Sequence, residues 1–271
     1  MTRTERPTDR TGTTFGARVR DCFSRGAAGY ERGARLQAAM AVRLGRLCRD
    51  LAPTLPSGAR ADLGAGSGLL SRSLEANIGG VPLLRVDQCS DLLAQELHRA
   101  GGPAGRQLQQ HQLLWDLNDG LPRQLGGAAL LASSFTLQWL ERPEQRLTEW
   151  CRQLAPGGLL VLAVPTAGSF GIWRRTAERA GVPYSGLELP AAGPLEAVVE
   201  RELEALRIQR LRFSRANRGA LTFLREIRSI GAQASRVRRL GPGELRRLML
   251  HWPASDQPLT WEVLLMVGRR G

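Results

Sequence analysis

The sequence predicts an α/β protein: a Rossmann-like, doubly wound parallel sheet with an N-terminal helical arm and a helical cap insertion. Three observations carry that prediction. The stretch Ala59-Arg60-Ala61-Asp62-Leu63-Gly64-Ala65-Gly66-Ser67-Gly68-Leu69-Leu70 ends a short run in an acid, passes three alternate glycines and enters an amphipathic segment. That is the pattern of a strand, a tight turn and a helix start. Short apolar runs then alternate with helical patterns as far as Val164, as βα units of a right-handed wound sheet do. The second run ends on Asp87, 23 residues after Gly64, where the carboxyl end of the second strand faces a nucleotide's ribose in folds of this kind.

The chain has 271 residues and is 42% hydrophobic, enough for one substantial core with room for a subdomain. Residues 1–22, opening on a Thr-, Arg- and Pro-rich segment, are expected to be a disordered tail. Residues 23–271 are expected to form one domain, with 23–52 as the helical arm and 165–240 partly as a cap over the substrate region. In the arm, Leu36, Met40, Leu44, Leu47 and Leu51 recur at helical spacing until Pro53 and Pro56 stop them. Strands are expected over 59–63, 82–87, 111–117, 128–132 and 159–164, the last buried on both faces. Helices are expected over 67–77, 91–100 and 143–154. Past Pro165, residues 172–180 and 195–207 read as helices, with a loop or lid over 181–194 that holds three prolines and three glycines. Short helices at 221–230 and 243–250 precede a closing strand at 259–267, whose Thr, Trp and Val suit an antiparallel edge.

The formal net charge is +13, and all 38 cations are arginine. Residues 201–271 hold fifteen arginines against six acids, which favours an acidic partner. No aromatic nucleic-acid motif accompanies the charge, so no stable nucleic-acid partner is expected. Cys22, Cys48, Cys89 and Cys151 have neither C-x-x-C nor zinc-ligand spacing, and His98, His111 and His251 are scattered; no metal is expected. No stretch approaches the roughly 20 apolar residues of a membrane span, so the expected location is cytoplasmic, away from membranes.

The turn itself carries the first chemistry. Glycines at 64, 66 and 68 keep Cβ atoms off an approaching ligand and tolerate positive φ, and the helix after them offers free N–H groups. The spacing G-x-G-x-G is not the G-x-G-x-x-G of nicotinamide and flavin folds. D-x-G-x-G-x-G resembles the first motif of class I S-adenosylmethionine (SAM) methyltransferases. That resemblance implies a SAM site formed by Asp62, Gly64, Ala65, Gly66, Ser67 and Gly68. It adds Asp87 and Gln88 at the ribose, Asp116 and Leu117 at the adenine, Ser133 past the fourth strand, and Gln37 closing the site from the arm. Asp87 would accept two hydrogen bonds from vicinal hydroxyls; its other reading is a cap of the following helix.

From about residue 23 onward the chain resembles the malonyl-[acyl-carrier protein] O-methyltransferase family of biotin synthesis. The likeness rests on Phe23 to Gln37 (F-S-R-G-A-A-G-Y-E-R-G-A-R-L-Q), on Asp62 to Gly68, and on Ser133 to Trp139 (S-S-F-T-L-Q-W). It continues through Ala155 to Gly158, Gly168-Ser169-Phe170, Leu224 to Ala232 and Leu248 to Trp261. Ala65 stands where the family has cysteine and Ser134 where it has asparagine. The resemblance implies methyl transfer from SAM to the free carboxylate of malonyl-[acyl-carrier protein] or malonyl-CoA, with an acidic carrier protein as partner. A carboxylate with a pKa of roughly 3–4 is already ionised at neutral pH. No acid or base residue is therefore expected, only positioning and desolvation. Arg228 and then Arg225 are the expected carboxylate clamps, unless they face outward toward the carrier. Tyr30 and Trp139 are expected to line the site or to be core. The alternatives are another small carboxylic acid or a quinone precursor as methyl acceptor, and, in a different class, a basic RNA-binding protein or RNA methyltransferase.

Overall fold

A computed structural model describes residues 14–79, 82–254 and 256–271. Seven strands make one sheet: β1 (Arg60–Leu63), β2 (Leu84–Asp87), β3 (Gln112–Leu114), β4 (Ala128–Ser134), β5 (Leu154–Pro165), β6 (Glu204–Arg215) and β7 (Leu259–Arg269). Their order is β3-β2-β1-β4-β5-β7-β6. β1 to β5 pair in parallel, while β7 runs antiparallel to both β5 and β6.

The sheet is covered on both faces, which is why its central strands read as unbroken apolar runs. Side chains alternate along each strand. Leu159, Val161 and Ala163 face one layer with α3 (Arg35–Arg49) and α4 (Leu69–Asn77). Leu160, Leu162 and Val164 face the other with α7 (Pro143–Gln153) and α9 (Ala192–Glu202). α5 (Ser90–Ala100) and α6 (Gly102–Gln109) join β2 to β3. Strand order reverses at β1 and β4, so a crevice opens beyond their carboxyl ends.

Two groups of helices close over that crevice. One is the arm, made of α1 (Phe15–Gly26), α2 (Tyr30–Gly33) and α3. The other packs α8 (Gly171–Arg179), α10 (Ala220–Ser229) and α11 (Pro242–Leu250) around Trp173, Phe223 and Leu248.

Several expectations are corrected. The disordered tail does not reach residue 22: α1 begins at Phe15, capped where Thr14 Oγ1 accepts from the Ala17 N–H at 3.2 Å. Burial of Phe15, Val19 and Cys22 fixes it against Trp139; residues 1–13 lie outside the described set. The helix expected over 195–207 ends at Glu202, and Glu204–Arg215 is a strand that forms the sheet edge. β7 is therefore internal rather than an edge. Within 165–240, α8 and α10 belong to the cap and α9 and β6 to the main layers, and the cap also takes in α11 beyond that range.

Candidate active site

The three glycines of the turn all have left-handed φ, at 75°, 57° and 78°, yet only one faces open space. A Cβ on Gly64 would strike Thr136, and one on Gly68 would strike the Glu96 carboxylate. One on Gly66 would meet only Leu92 Cδ1, at 3.7 Å, and would fill the cleft. The N–H groups of the turn itself are spent inside the protein. Gly64 and Ala65 donate to the Val86 carbonyl, Gly66 to Asp87 Oδ2 at 2.8 Å, and Gly68 to the Ala65 carbonyl. Three of these donors tie the turn to β2, and the fourth closes the turn on itself.

Three acids stand around that surface. Asp87 is aimed by two backbone N–H groups, Gly66 on Oδ2 and Cys89 on Oδ1, both at 2.8 Å. A carboxylate accepts about four hydrogen bonds, so capacity remains toward the cleft that Asp87 lines. Burial raises its pKa against the lowering pull of those N–H groups. Asp62 is 1% exposed. Its Oδ2 accepts from Ser71 Oγ at 2.7 Å, while Oδ1 is buried with no partner. Burial pushes its pKa up to about 7, partly offset by Ser71 and Arg85. Asp116 caps the turn Leu117–Asp119 by accepting from the Asn118 N–H at 2.9 Å, and lines the cleft with Leu117, Gln88 and Trp115.

Tyr30 is the hinge of the site. It lines the cleft beside Asp87, the inner recess of Asp62, Ala65, Ser67 and Gln37, and a third compartment beyond Trp139. Burial, then the Asp87, Glu31 and Asp62 carboxylates, raise its pKa, so the phenol keeps its proton at neutral pH. Glu31 ties this part of the arm to Arg72 on α4 and Arg99 on α5, at 2.9 and 2.6 Å.

The third compartment is apolar and aromatic, lined by Phe23, Phe135, Trp139, Phe170, Trp173 and Trp261 among others. Phe135 and Phe170 adopt left-handed φ, 58° and 57°. They are the only non-glycine residues to do so among those described. Such strain persists where surroundings enforce it, often at functional sites; here the Phe135 N–H is held by Ala163 O and the Phe170 N–H by Thr260 O.

Four expected site residues are elsewhere. Ser133 is fully buried and donates to Leu63 O at 2.7 Å, stitching β4 to β1; strand alternation hands the cleft to Ser134. Gly68 faces Glu96, not the cleft. Arg225 and Arg228 are exposed on α10, whose Ile227 faces the compartment instead. Phe23, Phe135, Gln138, Phe170, Trp173 and Trp261 line the compartment without having been singled out in the sequence. Their signal was there: seven of the chain's fourteen aromatic residues line this one space.

A methyltransferase domain family matches residues 61–162. The malonyl-[acyl-carrier protein] O-methyltransferase of Methylococcus capsulatus is 30% identical over 217 residues, covering 78% of this chain and 74% of that one. The chain belongs to this family. The same-named protein of Alcanivorax borkumensis is 34% identical over 178 residues, 64% of this chain and 56% of its own. A biotin biosynthesis bifunctional protein of Bordetella avium is 28% identical over 233 residues, 83% of this chain and 45% of its own. The chain thus spans about half the length of these last two relatives. Among solved structures, geranyl diphosphate C-methyltransferase from Streptomyces coelicolor matches with TM-score 0.52 at 14% identity, covering 88% of this chain and 80% of that one. Phosphoethanolamine N-methyltransferase 2 of Haemonchus contortus matches with TM-score 0.53 at 15% identity, covering 94% and 60%. At these identities the matches carry the fold: a Rossmann-like methyltransferase sheet.

Proposed function

We propose that the protein transfers a methyl group from SAM to the free carboxylate of a malonyl group carried as a thioester on acyl-carrier protein. The observation that carries this reading is an apolar compartment joined to the acid-ringed glycine turn through Tyr30, in a chain whose relatives are named for this reaction.

The cleft fits SAM. Asp62 Oδ1 is a buried acceptor without a donor, suited to the ammonium of the methionine part. The space beyond Gly66 is what a side chain there would take. Asp87 and Gln88 would hold the ribose, Asp116 and Leu117 the adenine, and Ala65, Ser67 and Gln37 the inner recess. SAM supplies an electrophilic methyl: the carboxylate oxygen forms the new O–C bond as the C–S bond breaks onto sulfur, and no proton moves.

The protein's part is positional. Tyr30, kept protonated, offers a hydrogen-bond donor between the two compartments. The aromatic walls exclude water, which would otherwise solvate and blunt the carboxylate. The arm covers the cleft and holds both reactants in line. RNA as partner finds less support, since exposed arginines such as Arg210, Arg215 and Arg238 pair with Glu196, Glu226 and Glu244.

The test is mass spectrometry of malonyl-[acyl-carrier protein] after incubation with SAM. One added methyl is expected. No gain in mass, with SAM binding intact by calorimetry, would overturn the malonyl reading and leave the methyltransferase fold standing.

A further inference from the structure

The arm forms one side of the cleft at the glycine turn. Val19, Phe23 and Tyr30 line it together with Gly66, Asp87 and Leu117, and Tyr30 and Gln37 also wall the recess of Asp62 and Ser67. A ligand of SAM's size seated on the turn therefore lies under the arm, and the arm must move for it to enter or leave. Burial of Met40 and Leu44 fixes α3 in the core. The helix breaks just before it, at Ala34, whose φ of −81° and ψ of 43° lie outside the helical region.

Glu31 ties the part of the arm before that break to the turn. It lies on α2 and pairs with Arg72 on α4 at 2.9 Å and with Arg99 on α5 at 2.6 Å. Arg72 also donates to the carbonyl of Ser67, within the turn, at 2.6 Å, and lies 3.8 Å from Glu96. Glu96 is locked to Arg85 by two hydrogen bonds of 3.1 Å, and both side chains are buried, at 3% and 1% exposed. The string Arg99–Glu31–Arg72–Glu96–Arg85 thus has a fixed inner end beside Gly68. Its outer end is partly open to solvent, and Glu31 is the member that belongs to the arm. Burial opposes the charge of Glu31, but Ser67, Arg72 and Arg99 outweigh it and hold the carboxyl below the usual range. Elsewhere the arm rests on α5, through Ser24 Oγ on Asp91 and through Phe23, Ala27 and Tyr30 against Cys89 and Leu92.

We propose that Glu31 is a positioning residue, the latch that seats the arm on the glycine turn, and that its bridge to Arg72 and Arg99 parts each time the cofactor exchanges. α1 and α2 swing about Ala34 while α3 stays in the core. Because Arg72 holds both Glu31 and the Ser67 carbonyl, closing the arm and setting the turn are one event. The latch depends on charge, so salt weakens it where it meets solvent. This rests on the SAM site proposed above and adds how that site opens.

The experiment follows release of S-adenosylhomocysteine by stopped flow, read from the fluorescence of Trp115 and Trp139, which line the cleft. Glu31→Gln keeps the side chain's shape and removes its charge. Release is expected to be about ten-fold faster, the worth of a hydrogen bond between charged groups. Arg99→Gln leaves the Arg72 bond to Ser67 in place and should speed release about three-fold. Arg32→Gln, exposed on the same short helix, should change nothing. High salt should speed release from the wild type and leave Glu31→Gln as it is. Hydrogen exchange on the ligand-free protein gives a second reading: Glu31→Gln should exchange faster over residues 15–34 and not in the strands of the sheet. Unchanged release in Glu31→Gln, or exchange raised through the sheet as well, overturns the latch. So does a wild type whose release ignores salt, a result that needs no variant to fold. A wild type that takes up no S-adenosylhomocysteine overturns the SAM site and the latch together.

Discussion

Gly66 in the turn and Asp62 at the end of β1 sit a few residues apart and respond to substitution for different reasons. Gly66 has left-handed φ and an unobstructed Cβ direction. Gly66→Val should cost about 1–2 kcal/mol in backbone strain and lower the melting temperature modestly. It should weaken S-adenosylhomocysteine binding far more, by over a hundred-fold by calorimetry, because the side chain takes the ligand's space. Asp62 acts through its proton. Its folded pKa of about 7 lies above the ordinary carboxylate value, so the folded chain binds that proton more readily than the unfolded chain. The stability it contributes is full below the unfolded pKa and lost as pH rises through about 7; the raised pKa of Asp87 acts in the same direction. The ligand-free protein should therefore melt lower at pH 8 than at pH 5.5, with a flatter profile in Asp62→Asn. SAM affinity should run the opposite way, rising between pH 6 and 8 as Asp62 ionises to meet the ammonium; a flat affinity profile would remove Asp62 from that role.

The seam between α1 and α10 belongs to the scale of elements. A Cβ on Gly26 would lie 2.7 Å from the Gly231 nitrogen, and one on Gly231, at φ 73°, would lie 2.6 Å from Phe23 Cα. Both are backbone contacts that cannot swing aside. Gly231→Ala should cost about 2 kcal/mol or more. Because Ile230 and Ala232 line the aromatic compartment, it should raise KM for the acyl substrate while leaving SAM affinity nearly unchanged; an unchanged KM in a folded variant would count against the seam as the compartment's roof. Elements of this kind were unevenly legible in the sequence. The strands β1, β2, β4 and β5 announced themselves because both their faces are buried. β6 did not: it lies at the sheet edge with Arg207, Arg210 and Arg212 exposed, and its leucines and arginines fit helical spacing as well as strand alternation. Ser133 and Ser134 could not be told apart without knowing which parity of β4 meets the crevice. The aromatic compartment was invisible for another reason. It is assembled from the arm, three strand ends, α8, the loop at Leu187 and Leu189, and α10, and no local pattern records a space shared by segments so distant in sequence.

The charge of the molecule is a whole-chain property, and it separates chemistry from docking. Arg225 and Arg228 are exposed and are not among the residues lining the compartment, which favours the docking role over the carboxylate clamp. They remain on the outer face of a cap helix beside the exposed Leu221, in a chain of net charge +13. A basic, partly apolar surface at the roof of the compartment suits an acidic carrier protein delivering its thioester-linked cargo, with attraction acting mainly on encounter. Arg225→Glu combined with Arg228→Glu should raise KM for malonyl-[acyl-carrier protein] about ten-fold or more at low ionic strength, and less in high salt, where exposed charges are screened. The same variant should treat malonyl-N-acetylcysteamine as the wild type does, since the small thioester brings no acidic surface, and should bind SAM normally. Equal losses with both substrates would mean that α10 shapes the compartment rather than greets the carrier, whereas a loss confined to the carrier-linked substrate puts docking on the cap and the reaction beneath it.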